Sequence, residues 1–197
     1  AAHHVQLIRE HLLFPGGAQL MDRPVAYRGG PQIMFKRAES SSFFRREIGL
    51  MYVHAHLRYA EAMAVLGEAE ALFEALQLAN PISVTDRLAQ ALLRQRNAYF
   101  SSSDAAFPDR YAASSKWSQV QAGTVGVEGG WRIYSSGPGI YAKLIVGHVF
   151  GHHRRWGRRT TWPLLPQALQ GVTVELDSSG WGTGLPPIPA DVPSGKK

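Results

Sequence analysis

No cysteine occurs among the 197 residues, so disulfides and thiolate metal sites are excluded. That fits a reducing compartment, and a cytoplasmic location is expected. No apolar run reaches the roughly 18 residues that a membrane helix needs. No basic-then-apolar leader opens the chain either. A soluble protein with no membrane partner for this segment is expected. Internal repeats are lacking. Acidic residues are scarcer than basic ones, 15 against 21, and the formal charge of +6 suits anionic partners such as phosphate, nucleic acid or acidic sugars without choosing among them. What is present is ordinary for one globular core: 45% hydrophobic and 18% charged residues.

The chain opens Ala1-Ala2-His3-His4 without a methionine and runs at once into the apolar-rich Val5 to Leu13, which reads as the continuation of something longer. At the other end, Asp177 to Lys197 is rich in glycine, proline and serine and reads as a flexible tail. Between them, Leu50, Val53, Leu57, Ala60 and Ala64 fall on one helical stripe, which predicts a helix from about Gly49 to Val65, broken by Gly67. Ala69, Leu72, Phe73 and Leu76 form a second stripe that ends at Asn80-Pro81. Residues 98–128 show no helical period and read as a long functional loop or a short hairpin. A further helix is expected from Pro138 to about Phe150, followed by short extended segments at Thr160–Trp162 and Gly171–Leu176.

The stretch Gly129 to Tyr141, Gly-Gly-Trp-Arg-Ile-Tyr-Ser-Ser-Gly-Pro-Gly-Ile-Tyr, carries the most chemistry. It sets two hydroxyls and several glycines just before an apolar helix. Pro138 suits a first helical turn, and the free N–H groups there, with the Ser135 and Ser136 hydroxyls, can face one phosphate. The same residues also make an ordinary capped helix entry. Spacing alone leaves both open.

Four segments in order carry a resemblance: Glu47-Ile48-Gly49-Leu50-Met51-Tyr52-Val53-His54-Ala55, the Leu66-Gly67 and Asn80-Pro81-Ile82 helix ends, Asn97-Ala98-Tyr99-Phe100, and Gly130-Trp131-Arg132-Ile133-Tyr134-Ser135-Ser136-Gly137. Over roughly residues 15 to 176 the chain resembles the cellobiose-phosphorylase-like family, glycoside hydrolase family ninety-four. Ser101-Ser102-Ser103-Asp104-Ala105 and the Ser-Ser-Gly-Pro-Gly variant are most similar to its branch of 1,2-β-oligoglucan phosphorylases and the phosphorylase modules of cyclic β-1,2-glucan synthases. The resemblance implies a mainly α chain, the C-terminal part of an (α/α)6 barrel with a short β cap. Residues 1–151 would be the incomplete barrel portion, 152–176 a β-containing segment and 177–197 the tail.

It also implies an inverting phosphorylase, in which inorganic phosphate attacks the anomeric carbon of a β-glucan and no water-activating carboxylate is needed. His54 matches the family's phosphate-contacting histidine. Ser135 stands where the family commonly has a threonine and Ser136 where it has a glycine, and the two complete the implied phosphate set. Glu47 and Arg132 are implied sugar contacts; as a bare residue, Glu47 would simply complement a helix dipole and Arg132 would pair with Glu128. The family's general-acid aspartate lies upstream of the matched motifs, so the catalytic acid is expected outside this chain. The chain by itself is expected to be inactive. The family tends to offer a glutamine in the loop matching Tyr99 to Ser103, where this chain has serines, Ser102 among them.

No metal or organic cofactor is implied, phosphate being the co-substrate, and the expected partners are a β-glucan oligosaccharide and phosphate, with a homodimer compatible. Two alternatives stand beside this reading: the phosphorylase-like module of a cyclic β-1,2-glucan synthase, and a non-catalytic basic module that binds nucleic acid or polysaccharide. The cluster Arg154, Arg155, Arg158 and Arg159 with His152, His153 and Trp156 would serve the last. At the end of the Pro138 helix it is expected instead to be solvated surface offsetting the helix dipole, and no nucleic-acid partner is expected. His54-Ala55-His56 and His152-His153 do not have the i, i+4 spacing of a helical metal site. A lone histidine at residue 54 would otherwise be a satisfied buried one.

Overall fold

The computed structural model describes residues 2–23, 50–80, 84–91, 102–108, 110–129 and 136–172. Helix α1 (Ala2–His11) carries the apolar opening segment and leads into a two-residue hairpin, β1 (Leu13–Phe14) with β2 (Gly17–Ala18). Strand β3 (Leu50–Tyr52) runs directly into α2 (Val53–Leu66), and α3 (Ala69–Ala79) follows across Gly67. Gly67 sits at φ +79, and the Glu68 N–H donates to the Met63 carbonyl to close the helix end. A short α4 (Val84–Arg87) comes next.

The expected helix therefore begins later than its periodicity predicts. Leu50 belongs to the stripe by spacing, yet Leu50–Tyr52 pairs with β4 (Ser102–Ala105), and Met51 is fully buried. A non-local ladder overrides a local period.

Residues 110–121 correct the expectation of a loop or hairpin over 98–128. They form α5 (Arg110–Ser115) and α6 (Trp117–Gln121), after which β5 (Val127–Gly129) joins β4. Ala113, Trp117 and Val120 do sit at helical spacing and are all buried. Helices this short show hardly more than one repeat, so their period is invisible against the surrounding serines. Phe14 meets Trp117 edge to face, with ring centroids 5.8 Å apart, and these residues form a small core with Ala105, Phe107 and Val125.

The larger core lies between α2 and α3, with Leu57, Met63 and Leu72 fully buried. Helix α7 (Ser136–Lys143) packs on α2, and a π-helical turn (Leu144–Val149) completes the expected Pro138–Phe150 helix, which begins two residues early. The Phe150 N–H reaches back to the Ile145 carbonyl at 2.9 Å. Leu144 and Val149 are both buried, although an α-helix would hold residues five apart about 140° from each other. The wider i→i+5 register turns them onto one face.

The arginine cluster is not a trailing helix end, which corrects the expected placement: β6 (His152–Arg155) pairs with β7 (Arg158–Thr161) in a hairpin. Leu164, Leu165 and Leu169, the last in a 3-10 turn (Gln167–Leu169), pack on the larger core, so the segment after residue 151 shares that core. Gly171 turns at φ +78 and Val172 is exposed and in no strand; residues 173–176 of the expected Gly171–Leu176 strand and the tail lie outside the described residues. Among the described residues helix predominates over three small sheets, as a mainly α chain requires, and these elements close into no barrel.

Candidate functional site

The three-stranded sheet sets the geometry. Its order is β3-β4-β5, and Met51, Ser103 and Gly129 form one row across it. Both outer strands are antiparallel to β4, so they run in the same direction and end at the same edge, beside Ser102 at the start of β4. Two strand spacings, roughly 10 Å, separate them. At that edge β3 becomes α2, which carries His54 in its first turn. From the same edge the chain leaves Gly129 toward α7 by way of residues 130–135.

The two helices also run in the same sense. Glu61, two turns into α2, accepts a 2.5 Å ion pair from Lys143, the last residue of α7. That contact puts both partners ~10–12 Å from their helix starts. Farther along, the Leu164 N–H donates to the His148 carbonyl, and the Gln167 N–H to Glu70 Oε1 at 2.6 Å, so the end of the π turn lies by the α2–α3 connection.

Of the expected phosphate set, His54 is half-buried, off the buried stripe, with its ring parallel to that of Tyr52 (13°, centroids 6.2 Å). Tyr52 makes no side-chain cap on α2. Ser136 opens α7. Ser135, Glu47 and Arg132 lie outside the described residues. Ser102 is placed at the same sheet edge by its pairing with Tyr52.

The satisfied buried histidine is His56. It is fully buried; the Ala18 N–H donates to its Nδ1 at 2.9 Å, and its Nε2 lies 2.7 Å from the Ala75 carbonyl. One nitrogen must accept and the other donate, so the ring is neutral with its proton on Nε2. Both nitrogens are used, which removes His56 from any metal pair with His54. Residue 56 adjoins the Leu57–Ala60 stripe at the position that fills out its buried face, a signal that residue 54 lacks.

Around the other end of α7, Lys143 and then Arg58 hold the Glu61 carboxyl below its ordinary range through hydrogen bonds. Burial, then the charges of His153 and Lys143, lowers the pKa of His148.

No family model matches the chain. It is 47% identical over 180 residues, 90% of its length, to a 1,2-beta-oligoglucan phosphorylase of Listeria innocua serovar 6a. The chain spans 16% of that relative's length. Identity at this level over nearly all of the chain places it in the phosphorylase family, as the counterpart of one segment of such a protein. The resemblance read in the sequence is thereby borne out. Among the described residues no helix is long and apolar enough to cross a membrane.

Proposed function

We propose that a protein carrying this chain is an inverting β-glucan phosphorylase acting in the cytoplasm, and that this segment supplies the phosphate-holding half of its site. One observation carries the reading: β3 and β5 end at one sheet edge, so His54 and the segment leading to Ser135 and Ser136 start from the same place although they are far apart in sequence. That shared edge suits an anion that must be held and aimed. An imidazole N–H and two hydroxyls donate to phosphate oxygens, and the N–H groups opening α7 add their dipole. One phosphate oxygen then attacks the anomeric carbon opposite the departing sugar, which gives α-glucose 1-phosphate with inversion. The proton for the leaving oxygen comes from an acid outside this chain.

Glu47 and Arg132 are assigned to glucose hydroxyls, and α2 and α3 to successive positions of an (α/α)6 barrel. The 197-residue chain alone releases no glucose 1-phosphate. In the full-length enzyme, His54→Ala raises the KM for phosphate about tenfold or more at saturating glucan, since a hydrogen bond to a charged partner contributes ~1.5–3 kcal/mol. Ser135→Ala acts in the same direction and by less. Unchanged phosphate dependence in both variants, with circular dichroism intact, would overturn the assignment.

A further inference from the structure

The hairpin of β6 and β7 holds an arrangement that phosphorolysis does not use. Its two-residue turn is Trp156-Gly157, at φ +54 and +75, the left-handed pair that asparagine or aspartate before glycine adopts with least strain. A bulky side chain in the first position is strained. The ladder sets Arg154 opposite Arg159 and Arg155 opposite Arg158, like charges directly facing, which is an unfavourable pairing. Arg154, Arg158 and Arg159 are exposed, and among the described residues none has a carboxylate partner. Trp156 is 92% exposed and Trp162 69%. The base is firm: His153 packs edge-on against His148 at 5.5 Å, and the Trp162 N–H donates to the Gly151 carbonyl.

Strand alternation puts Arg154 and Arg159 on one face of the ribbon and Arg158 on the other, so positive charge surrounds it below an aromatic tip. A flat acidic protein surface would meet one face only. A neutral glucan would gain nothing from the charges. A lipid interface entered tip first meets every side at once: indole settles at headgroup depth, and arginines around it face anionic phosphates. We propose that this hairpin is a peripheral contact with an anionic phospholipid surface, Trp156 entering at headgroup level without any segment spanning the bilayer. The proposal is independent of the phosphorylase reading, and it departs from the expectation of no membrane partner.

The test is sedimentation of the 197-residue chain with vesicles of phosphatidylglycerol and phosphatidylcholine against vesicles of phosphatidylcholine alone. Weak binding to the anionic vesicles only is expected, reversed by salt and accompanied by a blue shift of tryptophan emission. Arg154→Ala and Arg159→Ala each lower the partition coefficient about fivefold. Trp156→Asn separates the contact from folding, because it suits the turn better and should leave the melting temperature equal or higher while abolishing the blue shift. Equal binding to neutral vesicles, no binding, or variants that bind like the parent would overturn the proposal. Tighter binding to a single-stranded DNA oligomer at equal phosphate would overturn it in favour of a nucleic-acid surface.

Discussion

Replacing His56 with alanine tests how α2 is fixed in rotation, and therefore where His54 points. The imidazole ties the β2 backbone to α2 and α2 to α3, through Ala18 and Ala75. The Ala75 carbonyl also lies within the α3 ladder, so it keeps a partner when the ring is removed. The Ala18 N–H does not: Ala18 is buried, and leaving its donor unmade costs about 1–3 kcal/mol. The emptied ring site adds a packing loss of roughly 1–2 kcal/mol. A total of about 2–5 kcal/mol is a large share of the ~5–15 kcal/mol that stabilises a domain. With a urea slope of about 2 kcal/mol per molar, the unfolding midpoint should fall by roughly 1–2.5 M. Far-UV circular dichroism against urea measures this, with His56→Gln as a partial rescue because its amide can still meet one of the two partners. His54→Ala, which orphans no buried Ala18 N–H, should lower the midpoint by less than His56→Ala does. A His56→Ala shift no larger than that of His54→Ala would refute the role of the imidazole as a staple.

Gly151→Ala should prevent the β6–β7 hairpin from docking, because a Cβ there would overlap the Pro163 nitrogen and the Trp162 carbonyl at a φ of +72; loss of amide-exchange protection at Trp162 and Leu164 would report it. His148, whose pKa is lowered below 6.5 in the folded state, binds its proton more readily when unfolded. Stability should therefore be fully present above pH 6.5 and fall as pH drops below it, and His148→Gln should flatten that part of the profile in urea titrations at successive pH values.

The helical stripe from Val53 to Ala64, its stop at Gly67 and the second stripe ending at Asn80 were legible because each is a local repeat whose apolar face must be buried somewhere. Phosphorylase kinship was legible from four short segments in order, since that order survives without any knowledge of contacts. Less was legible where pairing is non-local. Leu50–Tyr52 reads as helix until Ser102–Asp104 is known to lie beside it, and the arginine cluster reads as a helix end until Arg158–Thr161 folds back on it.

The candidate site divides along the same line. From the sequence alone came the residue types suited to an anion: an imidazole at residue 54, hydroxyls at 135 and 136, and glycines before a helix. Only the tertiary structure decided that β3 and β5 end at one edge, that α2 and α7 pack against each other, and that His56 rather than His54 is the histidine locked into the core. The reason is physical: side-chain chemistry and short-range periodicity are written residue by residue, whereas strand direction and helix rotation are set by hydrogen bonds and packing between segments that the chain order does not place together.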